Sequence, residues 1–170
     1  MKTDKNERIL RITLAVILLA AAVLVLMGAG RASADGRTYT AEDVDVLCKC
    51  VWGEYRGNDD VQVAAVVWCV LNRVDDERFP NTIKEVVTAP YQFSGYSPTN
   101  PVDPRIQRIV LDVLARWQAE PSCCGSIGRV LPPEFVYFHG NGTVNLYRAE
   151  YWSRDYWDWQ LPSPYEEATE

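Results

Sequence analysis

The spacing of apolar residues after residue 35 predicts a domain built mainly from α-helices. Thr40, with Asp43 three residues later, resembles a capping box that opens a helix. Apolar residues then recur at helical spacing until Gly57. The residues with this spacing are Val44, Leu47, Cys48, Val51 and Tyr55. The pattern predicts a first amphipathic helix with one buried stripe.

The next segment is apolar on every side. Residues 58–60 open a second helix, and residues 63–71 contain no polar side chain. A helix that is apolar all round is expected in the interior, so this segment is predicted to be the central helix. Residues 72–74 end it. A short helix is predicted near residues 82–88, where Ala89 and Pro90 break the pattern.

A long irregular passage follows the short helix. It begins with Gln92, and loops of this length in a compact domain are often functional. Asp103 and Pro104 then provide the cap and first residue of a further helix. Beyond Gly125 the pattern weakens, so the predicted fold class is mainly α, with α+β possible. The predicted core face of the last helix is Ile106, Ile109, Val110, Val113, Leu114 and Trp117.

The N-terminal 34 residues have the composition of an export signal. Four basic residues precede an apolar run at residues 12–27, and Ala32-Ser33-Ala34 follows. This order predicts a signal peptide cleaved after Ala34, or a retained N-terminal membrane anchor. Residues 35–161 then form one domain outside the cytoplasm, either secreted or anchored to the membrane's outer face, and residues 162–170 form an acidic tail.

The charge of the exported part narrows the choice of partners. Residues 1–34 carry five of the 17 Lys and Arg and two of the 23 Asp and Glu, which leaves residues 35–170 with a net charge of −9. Nucleic acids and anionic membrane surfaces require clustered positive charge, so neither is expected as the main partner. A carbohydrate partner remains compatible with this surface.

The five cysteines all lie in the exported part, where disulfides are permitted. Their number is odd, and the adjacent Cys123 and Cys124 can hardly bond to each other without strain. A bridge from one of these two to the first helices is permitted. A Cys/His peptidase would have to use His139, the only histidine, and no nucleophile motif or zinc ligand set accompanies it. Neither a metal nor a cofactor is expected.

Glu54 is the strongest candidate for a catalytic residue. It follows Leu47 by seven residues and Val51 by three, so on a helix it lies along the apolar stripe and in the last turn. Partial burial and the negative end of the helix dipole both raise a carboxyl pKa, which suits a general acid near neutral pH. The alternative is a structural ion pair with Arg56 or Arg73.

Three short motifs carry a family resemblance. They are Glu-x-Arg-Gly at residues 54–57, Asn-Arg-Val at 72–74 and Gln-Phe-Ser at 92–94. With the residues between them, from about Val44 to Ser94, they resemble the cell-wall hydrolase family of the spore cortex-lytic enzymes. Residues 133–138 and 145–148 resemble the family's closing segment more loosely.

The resemblance implies a lysozyme-like helical catalytic domain at residues 35–161, with a groove for peptidoglycan. It also implies cleavage of the bond between N-acetylmuramic acid and N-acetylglucosamine, with Glu54 as the acid. The family usually carries a second acidic residue after the Arg-Gly, where this chain has Asn58. The candidate substrate-binding residues are Gln92, Ser94, Phe93, Tyr137 and Asn72. Among them, Phe93 is expected in the core and Asn72 beneath the site.

Two reaction types remain open from the sequence. Ordinary glycoside hydrolysis uses two carboxyl groups, and a lytic transglycosylase needs only one because the muramic acid's own 6-hydroxyl attacks. Transglycosylation is the preferred hypothesis, since only Glu54 is placed convincingly. A muramidase-type hydrolase is the alternative, with Asp59, Asp60, Glu85 or Glu134 as second acid. A non-catalytic peptidoglycan-binding protein of the same fold is a third possibility.

Overall fold

Four helices and one antiparallel hairpin make up the regular structure of residues 37–120 and 127–165, the part of the chain that this computed structural model describes. The mainly α fold class is confirmed, with the hairpin as its β component. The predicted signal peptide or anchor and the Cys123-Cys124 pair lie outside the described residues. The elements are Ala41–Glu54 (α1), Asp60–Asp75 (α2), Ile83–Thr88 (α3), Pro104–Ala119 (α4), Tyr137–Gly140 (β1) and Asn145–Arg148 (β2).

Helix α2 is the central helix, as its sequence predicts. Every residue from Gln62 to Arg73 is buried, and α1, α3 and α4 all pack against it. All six predicted core residues of α4 are buried as well. The Trp117 indole N–H donates to Asp75 Oδ2 at 2.9 Å, which joins α4 to the end of α2. Within the described residues, no helix is long and apolar enough to cross a membrane.

Side-chain caps define where the helices begin. Thr40 and Asp43 form the predicted capping box, in which each side chain accepts the other residue's backbone N–H. Asp59, Thr82 and Asp103 likewise accept N–H groups from the first turns of α2, α3 and α4. Each cap satisfies a donor that has no partner inside the helix, a contribution of about 1 kcal/mol.

Helix α1 ends earlier than its apolar pattern predicts. The pattern continues to Gly57, whereas the helix stops at Glu54 and Tyr55 is extended, with φ −150° and ψ 116°. The Gly57 carbonyl instead accepts a hydrogen bond of 3.0 Å from Arg105 Nη1 of α4. The chain therefore leaves α1 to meet the start of α4, which puts Glu54 at the very end of the helix.

The bridge that the sequence permits between the first helices and the later cysteines is not formed. Cys48, Cys50 and Cys69 are all free and fully buried. Burial raises the pKa of the Cys48 thiol to about 12 and that of Cys69 to about 11. These thiols lie on the apolar helix faces and act as small core residues.

The hairpin occupies a stretch in which the apolar pattern is weak. Gly140 pairs with Asn145, and the turn between them contains Gly142 at φ +93°. Phe138 packs against Tyr147 across the two strands, with ring centroids 5.4 Å apart, and Tyr147 is fully buried in the core. The inner face of the hairpin therefore completes the core, and its turn projects toward the end of α1.

Candidate active site

The Glu54 carboxyl group lies half-buried where α1 ends. Its Oε1 accepts a 2.7 Å hydrogen bond from the backbone N–H of Gly95, in the loop after α3. Among the described residues, no Lys or Arg forms an ion pair with it. The guanidinium of Arg56 bonds to a backbone carbonyl of α1, and that of Arg73 bonds to the Val136 carbonyl. The ion-pair alternative is therefore not what the structure contains.

Burial is the main influence on this carboxyl group and raises the pKa of Glu54 above its ordinary 4.5. The Gly95 hydrogen bond and the positive charge of Arg73 act in the opposite direction and are smaller effects. Because Oε1 accepts the Gly95 N–H, Oε2 is the oxygen left free to carry the proton of the neutral acid. The site thus holds a carboxyl group with a raised pKa and one oxygen free of the loop.

A close backbone approach brings the loop to Glu54. A Cβ atom at Gly53 would lie 1.9 Å from the Gly95 carbonyl oxygen, and one at Gly95 would lie 2.3 Å from the Gly53 oxygen. Only glycine fits at either position. The Asn100 side-chain amide completes the junction, since it donates to the carbonyls of Gly95 at 2.8 Å and Lys49 at 3.0 Å.

A cleft of about 460 Å³ opens beside Glu54. Asn145 joins the hairpin to α1 and α2. Its side-chain amide donates to the Glu54 carbonyl at 3.4 Å, and its backbone N–H donates to Gln62 Oε1 at 3.2 Å. Among the cleft-lining residues in the described part of the chain, Glu54 is the only one with a carboxyl group. Besides Glu54 and Asn145, the lining comprises Tyr55, Arg56, Gly57, Gly140, Gly142, Thr143 and Val144.

The other acids considered as partners of Glu54 do not line this cleft. Asp59 caps α2, and Asp60 pairs with Arg105 at 2.5 Å. Glu85 accepts a hydrogen bond of 2.6 Å from the Thr82 hydroxyl. Glu134, the fourth of them, is exposed in the segment before β1. The first three therefore have structural partners of their own.

The buried guanidinium of Arg73 gathers several of the predicted site residues. Its Nη1 donates to Gln92 Oε1 at 3.0 Å. Its central carbon lies 4.7 Å from the ring centroid of Phe93 and 5.9 Å from that of Tyr137. Arg73 is 3% exposed, so these contacts replace its water. Gln92, Phe93 and Tyr137 are thus brought together, although none of them lines the cleft beside Glu54.

The remaining predicted residues divide between surface and interior. Ser94 is exposed directly before Gly95, whereas Phe93 is buried against Phe138, as expected for a core residue. Asn72 is 2% exposed, and its amide N–H groups donate to the carbonyls of Pro132 and Phe135. Its side-chain oxygen accepts from Arg129. Asn72 therefore supports the chain beneath the site and has no polar group left for a substrate.

A family model described as Cell Wall Hydrolase matches residues 57–156, more than half of the chain. The chain belongs to this family. The matched range includes Arg73, the loop that begins with Gln92, and the hairpin, and it starts three residues after Glu54.

The cell wall hydrolase domain is similar to curated spore cortex-lytic enzymes. The one from Bacillus cereus is 29% identical over 82 residues, which cover 46% of this chain and 32% of that protein. The one from Halalkalibacterium halodurans is 30% identical over 79 residues, 45% of this chain and 24% of that protein. This chain thus spans a third or less of the length of these relatives.

A solved structure also aligns with this cell wall hydrolase. It is the crystal structure of the catalytic domain of the Bacillus cereus SleB protein, at 26% identity and a TM-score of 0.47. The alignment covers 69% of this chain and 84% of that chain.

Three residues that surround Glu54 in this cell wall hydrolase were not predicted from the sequence. Gly95 and Gly53 matter through their backbones, and Asn145 acts through contacts with α1 and α2. The hairpin could have been predicted from the sequence, because the dipeptide Asn141-Gly142 is typical of tight β-hairpin turns. Asn141 Oδ1 accepts the backbone N–H groups of Thr143 and Val144 and so shapes the turn.

The raised pKa of Glu54 predicts a pH-dependent stability difference between the wild type and Glu54→Gln. The folded state binds more protons than the unfolded state between pH 4.5 and the raised pKa. The contribution of Glu54 is therefore fully present below pH 4.5 and is lost as the pH rises through the folded pKa. Because Gln does not titrate, the variant should become progressively more stable relative to the wild type over this interval.

Thermal melts of both proteins from pH 4 to pH 8 test this expectation. Glu134→Gln removes an exposed carboxyl group and controls for the change in net charge. A difference in Tm between the wild type and Glu54→Gln that stays constant over the whole range would contradict the raised pKa.

Proposed function

We propose that this domain cleaves peptidoglycan glycan strands at the β-1,4 bond between N-acetylmuramic acid and N-acetylglucosamine, as a lytic transglycosylase with Glu54 as its acid. The observation that carries the proposal is that Glu54 supplies the one carboxyl group among the described residues that line the cleft, with a raised pKa and one oxygen bonded to the Gly95 N–H. Membership of the Cell Wall Hydrolase family and similarity to spore cortex-lytic enzymes support peptidoglycan as the substrate.

The reaction can be written with one carboxyl group throughout. Glu54 Oε2–H protonates the glycosidic oxygen, and the bond from that oxygen to C1 of the muramic acid breaks. The 6-hydroxyl of the same sugar then attacks C1 and gives its proton to the Glu54 carboxylate, which closes a 1,6-anhydro ring. The acid is regenerated, and no water is consumed.

The neighbouring groups suit the two forms of Glu54. Burial favours the neutral acid needed for the first step, and the nearby charge of Arg73 favours the carboxylate needed for the second. Opposing influences of this kind suit a group that first donates a proton and then accepts one.

We assign substrate contact to the exposed polar residues of the loop beside the site. The Gln92 amide and the Ser94 hydroxyl suit N-acetyl and hydroxyl groups of the glycan, and Tyr137 contacts the same Arg73 guanidinium as Gln92 does. Phe93 and Asn72 support these residues from the interior. The domain acts outside the cytoplasm, where peptidoglycan lies, and residues 1–34 direct its export or anchor it.

Product analysis tests the proposal. The full chain is incubated with purified peptidoglycan, and the released fragments are analysed by mass spectrometry. Anhydro-muramyl ends are expected. Reducing ends in their place would show hydrolysis and overturn the mechanism while keeping the substrate. Release of no fragments would favour a binding protein.

A further inference from the structure

A row of three aromatic side chains extends from β1 of the hairpin, from the partly buried Tyr137 to the exposed Trp152. It consists of Tyr137 of β1 followed by Tyr151 and Trp152 from the segment after β2. The Tyr137 and Tyr151 rings meet edge to face at 5.6 Å, and the Tyr151 and Trp152 rings do so at 4.7 Å. Tyr151 is 52% exposed and Trp152 is 87% exposed. Large rings are costly to leave in water, so the exposed Tyr151 and Trp152 in this row indicate a binding surface.

Packing accounts for the other tryptophans of this segment and not for Trp152. Trp157 contacts the Phe135 ring at 5.4 Å, and its indole N–H donates to the Val130 carbonyl at 3.0 Å. Trp159 contacts the buried Tyr147 ring at 5.8 Å. Within the described residues, Tyr151 is the only ring partner of Trp152.

Strand β1 connects this row with the cleft. Gly140 at one end of the strand lines the cleft beside Glu54, and Tyr137 at the other end begins the row. Three residues of extended strand span about 10 Å, which a short oligosaccharide bridges. A polymer held in the cleft can therefore continue onto the aromatic row.

The chemistry of the row favours a glycan over a lipid surface. A sugar ring has an apolar face of C–H groups and a polar rim, which matches an amphipathic indole or phenol ring. Membrane-binding surfaces combine aromatic residues with many Lys and Arg, whereas residues 35–170 carry a net charge of −9.

We propose that Tyr137, Tyr151 and Trp152 form a distal subsite that stacks on sugar rings of the same glycan strand that occupies the cleft. This subsite rests on the proposed function for the identity of the strand. It holds long polymers in register, at a position beyond the sugars that occupy the cleft.

Binding without cleavage tests the subsite. The full chain carrying Glu54→Gln is sedimented with purified peptidoglycan sacculi, with and without Trp152→Ala. Loss of one aromatic contact is expected to weaken binding by about threefold to tenfold. Leu111→Ala, which removes an exposed apolar side chain on α4, is the matched control and should bind like its parent. Thermal melts verify that all three proteins are equally folded.

The outcomes separate this inference from the proposed function. Equal binding of the Trp152→Ala protein and its parent, or no sedimentation of the parent with sacculi, would overturn the subsite even if the wild type cleaves peptidoglycan. The subsite would also be overturned if Trp152→Ala weakened binding to anionic phospholipid vesicles and left binding to sacculi unchanged. Conversely, weaker sacculus binding supports the subsite even if product analysis finds no cleavage.

Discussion

Glu54→Gln is expected to lower the rate of glycan cleavage by about 10³-fold or more while leaving the domain folded. The amide has nearly the same shape as the carboxylic acid, and its oxygen can still accept the Gly95 N–H at the position of Oε1. It has no proton to give to the glycosidic oxygen and cannot later accept one from the 6-hydroxyl. Release of soluble fragments from peptidoglycan, followed over time, measures the effect.

Two comparisons attribute this loss of cleavage activity to the Glu54 carboxyl group. Glu134→Gln should retain the wild-type rate, since Glu134 lies outside the cleft lining. The wild-type rate should fall as the pH rises through the raised pKa of Glu54, because the acid is then ionised before the substrate binds. A Glu54→Gln protein within tenfold of the wild type, or a Glu134→Gln protein as impaired as Glu54→Gln, would refute the single-carboxyl mechanism.

The parts of the fold that follow from local rules were predictable. The fully apolar stretch before Asn72 and the spaced apolar face of α4 are buried because each has too little polar surface to lie in water. The caps at Thr40 and Asp103 were predictable because a short side chain satisfies donors only two or three residues away. The half-buried position of Glu54 was predictable because the helical repeat puts it along the apolar stripe.

The parts that depend on distant chain segments were not predictable. The Gly95 N–H meets Glu54 across 41 residues, and Asn145 meets it across 91. No local pattern encodes either contact. The absence of a disulfide at Cys48 was equally unpredictable, since the number of cysteines gives no distances between them. The helical repeat alone extended α1 too far, since it does not register the contact of Gly57 with Arg105, a residue of another helix.

The acid and the cleft wall are positioned by different segments. Gly95 belongs to the loop after α3, and Asn145 begins β2, yet both bond to Glu54. A change in either segment therefore alters the surroundings of the acid without touching it. The closest backbone contact beside Glu54 is the one between Gly53 and Gly95. This contact is therefore the part of the site most sensitive to substitution.

Gly53→Ala is expected to destabilise the domain by about 2 kcal/mol and to impair cleavage beyond that loss of stability. Its Cβ would lie 1.9 Å from the Gly95 carbonyl oxygen, and backbone on both sides leaves no flexible side chain to yield. The loop has to move away, which breaks the N–H bond to Glu54 and removes the contact that orients its carboxyl group. Differential scanning calorimetry and peptidoglycan release give the two effects separately.

Helix propensity alone predicts the opposite sign, since alanine in a helix interior is about 1 kcal/mol more favourable than glycine. Overpacking against rigid backbone outweighs this gain at a separation of 1.9 Å. Gly140→Ala is the matched stability control, because its Cβ would meet its nearest neighbour, Asn145 Oδ1, at an ordinary 3.4 Å. A Gly53→Ala protein that melts at or above the wild-type temperature would show that the loop does not rest on α1 as described.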